Sequence, residues 1–116
     1  MVTVKIYRNR DDYIVKFQVS GHAAFDEEGR DIVCAGISMV AQTAVLGLMN
    51  HLPVPPEFER KKGHLSCEMP SGLGPEAQEK AQVILTTMEA GLLSLEAGYP
   101  GYVKVIRQGG VNGVQD

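Results

Sequence analysis

The chain has 116 residues, 44% of them hydrophobic, and a formal net charge of −3. That length suits one domain, and the apolar share supports a core, so a disordered chain is excluded. The slight acidity argues against a grip on a nucleic-acid backbone as the main activity, and Lys61 and Lys62 alone make no basic patch.

Val2, Val4 and Ile6 alternate with Thr3, Lys5 and Tyr7, the period of a half-buried strand. Asn9 to Asp12 is a polar turn. Val15, Phe17 and Val19 then alternate with Ile14, Lys16 and Gln18, so the two runs predict a hairpin. Ser20-Gly21 ends it and leaves His22 at the strand exit. Ala23 to Arg30 reads as a loop. Asp31 is a good helix N-cap. The helix is predicted to run from there to about Asn50, with Val33, Ile37, Val40, Ala44 and Leu48 on one stripe and Val45, Leu46 and Met49 widening it. Ile32 to Leu52 matches a membrane span in length and holds no charged residue, but Gln42, Thr43, Asn50 and His51 interrupt it. It reads as a buried helix of a soluble protein, with no membrane partner.

Leu52 to Pro56 carries three prolines and reads as a stiff connection. Glu57 to Arg60 is strand-compatible, Lys61 to Gly63 turns, and Leu65, Cys67 and Met69 alternate with polar neighbours, giving a second hairpin with Cys67 inward. Pro75 suits the first turn of a second helix, which Ala77, Ala81, Ile84, Met88, Leu92 and Leu95 continue and Gly98 and Pro100 stop. Tyr102 to Arg107 predicts a last strand. The order is β-β-α-β-β-α-β: an α+β fold in a single domain over residues 1–107, with a mixed, mainly antiparallel sheet packed by two helices. Residues 108–116 form a Gly-rich tail expected to be flexible.

The candidate chemistry lies in Gly21 to Ser38. Cys34 would sit in the first helical turn, where the helix end favours a thiolate. His22 is a candidate base for it, if the fold brings the two within hydrogen-bond reach. Asp31 has a capping role and a candidate role in orienting His22. Ser38, one turn beyond Cys34, could hydrogen-bond near the thiol or bond back to the helix. Phe25 and Gly29 would anchor and hinge the loop over residues 23–30 as a lid. His64 and Cys67 form an HxxC, but the strand period sets them on opposite faces, so no metal site is expected. No nucleotide-binding motif is present, and no cofactor is expected. Two cysteines and no secretory signal point to the cytoplasm with reduced thiols.

Gly21-His22-Ala23, then Gly29, then Asp31-Ile32-Val33-Cys34-Ala35 and Ser38 resemble the ribosomal-processing cysteine protease family, Prp. The resemblance extends over the chain in length and element order, but not to the tail. It implies a cytoplasmic homodimeric endopeptidase that uses a Cys34/His22 dyad. Its implied substrate is the N-terminal extension of a large-subunit ribosomal protein, the twenty-seventh in the standard numbering. The competing reading is a non-catalytic, ribosome-associated module that binds such a peptide, with Cys34 merely structural.

Overall fold

A computed structural model describes residues 1–21 and 28–110, with side chains from 32 onward in the second segment. Five strands and two helices follow the predicted order: β1 (Val2–Arg8), β2 (Ile14–Ser20), α1 (Glu28–His51), β3 (Glu57–Lys61), β4 (His64–Glu68), α2 (Pro75–Gly98) and β5 (Val103–Gln108). The strands form one sheet in the order β3-β4-β2-β1-β5. β5 runs parallel to β1 and every other pair is antiparallel.

The first hairpin shows how local chemistry sets this arrangement. Asn9 Oδ1 accepts from the backbone N–H of Asp11 and of Tyr13, at 3.0 and 3.1 Å. Asp12 takes the left-handed conformation at φ 69°, which a short polar side chain tolerates. The register then slips at Tyr7/Arg8: Tyr7 faces Lys16 while Arg8 faces Ile14, so Val15 is the extra residue of a bulge. Ile14, expected on the outward side, is therefore fully buried. The side chain of Gln82 completes the interrupted ladder, accepting from Ile14 N–H at 2.8 Å and donating to its carbonyl at 2.9 Å.

The core lies between one face of the sheet and both helices. Val2, Val4, Ile6, Phe17, Leu65, Cys67 and Val103 come from the strands. They meet Val33, Ile37, Ala41, Ala44, Val45 and Leu48 of α1 and Ala81, Leu85, Met88 and Leu92 of α2. Each Val, Leu, Ile, Phe or Met side chain among them, once buried, contributes about 1.5–3 kcal/mol. The helices pack antiparallel with a constant register: a Cβ at Gly36 would meet Leu95, one at Gly91 would meet Val40, and one at Gly47 would meet Ile84. Ile32–His51 is long and apolar enough to cross a membrane, but its inner face belongs to this core. Two residues of the expected stripe do not: Leu46 is 60% and Met49 44% exposed, because a two-layer fold covers a helix on its inner side and one flank only.

α1 starts one turn earlier than predicted, at Glu28 rather than just after Asp31. Asp31 is thus a first-turn residue and not the N-cap. Acidic residues suit the positive end of a helix throughout its first turn, so the sequence carried no sharp mark for the boundary. For the same reason Gly29, expected in the loop as a hinge, lies in the helix, while Phe25 and the rest of 22–27 are outside the described residues. Gln108 also joins β5 rather than the tail.

Candidate active site

Cys34 sits on the inner flank of α1, half-buried and packed against the core. As the seventh residue of α1 it belongs to the second helical turn, not the first. Its own N–H is therefore already spent within the helix, and the field of a helix end fades beyond the first turn.

In front of Cys34 is a cavity of about 540 Å³ between α1 and the β3–β4 hairpin. α1 contributes Cys34, Ile37, Ser38 and Ala41. The end of β2 contributes Val19 and Gly21, and the hairpin contributes residues 60–65. Gly63, the second residue of the two-residue loop joining β3 to β4, takes φ +75°. Its carbonyl accepts from Gly21 N–H at 3.1 Å, which ties the hairpin to the strand exit. Gly21 has φ +87°, and a Cβ there would lie 2.6 Å from the Met1 carbonyl oxygen. Only glycine fits this exit from β2. Gly21, whose neighbour in the chain is His22, thus lines the same cavity as Cys34. His22 itself is outside the described residues, as is the Asp31 side chain.

Ser38 does line the cavity with Cys34. Its hydroxyl accepts a 2.6 Å hydrogen bond from Gln42 Nε2, and Arg60 Nη1 donates to Gln42 Oε1 at 3.3 Å. Gln42 and Arg60 were not foreseen. Cys34, Ser38 and Gln42 at four-residue steps, polar within an apolar helix, were the available signal for Gln42. Arg60 reaches the site because it pairs with inward-facing Leu65 and so points to the helix side of the sheet.

The two cysteines have opposite environments. Cys67 is buried in the sheet, where desolvation pushes its thiol up to about 12. It is a structural residue with little thiolate near neutral pH. Neither cysteine is in a disulfide. His64, paired with Ser20 and Lys61 across the sheet, lies on the face opposite Cys67, and no metal-holding cluster occurs among the described residues.

A half-buried thiol facing an open cavity, with a second cysteine locked in the core, fits a cysteine nucleophile. The family model for cysteine protease Prp matches residues 1–104. The chain belongs to the Prp family of cysteine proteases. The ribosomal processing cysteine protease Prp of Bacillus subtilis is 35% identical over 111 residues, which cover 90% of this chain and 96% of that one. Its Staphylococcus aureus counterpart is 32% identical over 102 residues, covering 85% and 92%. Among solved structures, a Prp from S. aureus in complex with a substrate peptide superposes with a TM-score of 0.80 at 28% identity, over 92% of this chain and 99% of that one. The same protease in complex with a covalently linked product peptide gives 0.77. The α+β fold read from the sequence is the Prp fold, and the chain is a cysteine protease.

Proposed function

We propose that this protease removes the N-terminal extension of a large-subunit ribosomal protein, the twenty-seventh, during ribosome assembly, and that Cys34 and His22 are its catalytic pair. The carrying observation is that the half-buried Cys34 and Gly21, the residue before His22, line one cavity. The names of the B. subtilis and S. aureus relatives support ribosomal processing. In this reading His22 takes the thiol proton, and Cys34 Sγ attacks the scissile carbonyl carbon. The proton passes to the leaving amine as the C–N bond breaks, and water then hydrolyses the thioester, releasing the acid and regenerating the thiol. Two unbridged cysteines suit work in the cytoplasm. The active species is a homodimer, because Ile32, Met39 and Leu46 form an exposed apolar row along α1, flanked by Met49, with Val83 exposed on α2.

The test is incubation with a peptide spanning the extension and the mature N-terminus. The wild type cuts it. Cys34→Ala and His22→Ala leave it whole while keeping the far-UV circular dichroism of the fold. Equal turnover by wild type and Cys34→Ala refutes the dyad; tight binding without cleavage by the wild type favours a peptide-binding module.

A further inference from the structure

Hydrogen bonds on the cavity wall run in one direction. Arg60 Nη1 donates to Gln42 Oε1, and Gln42 Nε2 donates to Ser38 Oγ. A guanidinium has only donors, so it takes the oxygen of the amide and turns the NH2 group toward Ser38. That NH2 group also has only donors, so the serine hydroxyl must accept, and its own proton is left for another acceptor. On α2, Thr86 and Thr87 donate back to carbonyls one turn earlier, at 2.7 and 2.6 Å. Ser38 instead takes the Gln42 bond, with Cys34 one turn before it on the same cavity wall.

We propose that Arg60, Gln42 and Ser38 form a one-way donor chain that ends on the Cys34 thiolate, with Gln42 as the positioning residue that obliges the Ser38 hydroxyl to donate. The inference rests on Cys34 being the nucleophile. It supplies what the second-turn position takes away: with less help from the helix end, the thiolate gains a hydrogen bond from a neighbouring hydroxyl, and a donor to an anion is among the stronger kinds. The same chain ties α1 to edge strand β3 and so holds the two walls of the cavity together.

The experiment is alkylation of the full chain by iodoacetamide at about pH 6.5 and about pH 10, with modification of Cys34 followed by mass spectrometry. Near pH 10 an ordinary thiol is ionised, so thiolate stabilisation no longer limits the rate. Gln42→Glu keeps the length and the pairing with Arg60, but a carboxylate has only acceptors and draws the Ser38 proton away from the thiol. It is expected to slow Cys34 alkylation about threefold to tenfold at the lower pH, with little change at the higher one. Ser38→Ala is expected to do the same. Arg60→Leu, which lets the Gln42 amide turn over, gives a smaller loss at the lower pH; a wild-type rate for it removes Arg60 from the chain. The double variant Ser38→Ala/Gln42→Glu should be no slower than Ser38→Ala. Further slowing in the double variant means that Gln42→Glu acts through its charge alone, and equal slowing at both pH values means altered access; either overturns the proposal, as do wild-type rates for Ser38→Ala. Alkylation needs no peptide turnover, so failure here is distinguishable from failure of the proteolytic reading.

Discussion

Glu89 is the buried charged residue of the described core, and its partner explains why it can be there. Arg8, at the end of β1, donates to both of its carboxylate oxygens at 2.7 Å, and Arg107 stands 3.9 Å away. The hydrogen bonds from Arg8 hold the Glu89 carboxyl below its ordinary range; burial works the other way but loses. A carboxyl depressed in the folded state contributes stability above its unfolded value, and that contribution is lost as pH falls through the folded one. Thermal unfolding should therefore be flat from neutral pH to about pH 5 and decline below about pH 4. Glu89→Gln should cost about 1–3 kcal/mol at pH 7 and flatten that acid decline. Gly21 carries a second residue-scale prediction. Gly21→Ala forces both a left-handed alanine and a clash with the Met1 carbonyl, so it should lower stability by about 1–2 kcal/mol or more in urea unfolding.

At the scale of elements, the helix pair runs against the usual expectation for interface glycines. Cβ positions at Gly36, Gly47 and Gly91 would approach Leu95, Ile84 and Val40 to 3.7, 3.6 and 3.5 Å, which is ordinary contact. Gly47→Ala should thus gain helix propensity without a clash and raise stability by about 0.5–1 kcal/mol in urea unfolding; a loss of that size would show the helices already at closest approach. The outer strands are guarded in different ways. Glu96 accepts from Val105 N–H at 2.7 Å, occupying a donor on β5. β3 is exposed along its length and relies on Glu57, Glu59, Arg60 and Lys61. The elements themselves were legible because alternation, helical spacing, Pro75 and Gly98 agree along the chain. The start of α1 was not, because Glu28 and Asp31 both suit a first turn; that one-turn error moved Cys34 from the first turn to the second.

For the whole molecule, the row Ile32, Met39 and Leu46 recurs at seven-residue steps on the solvent side of α1, at 62%, 59% and 60% exposure. The sheet and α2 cover the other sides of α1, and the homodimer proposed above would bury this row against a second copy. Light scattering at micromolar concentration should return twice the 12.6 kDa of one chain, and Leu46→Glu, which sets a charge in that face, should return a single chain with its circular dichroism intact. A wild-type mass of one chain would falsify the dimer.

The sequence by itself determined the strands and helices, their order, the inward stripes and the nucleophile candidate. These depend on periodicity and on residues close in the chain. The resemblance from Gly21 to Ser38 was likewise local and pointed to the family. Tertiary structure decided what depends on partners far apart in sequence. The bulge at Val15 buried Ile14, and one flank of α1 took α2 while Leu46 and Met49 stayed in water. Arg60, 18 residues beyond Gln42, met it across the cavity because strand register turned its side chain toward the helices. Local turns set the register within a hairpin, but which helix flank is covered and which distant side chains meet are set by the packing of the whole core, which no local pattern encodes.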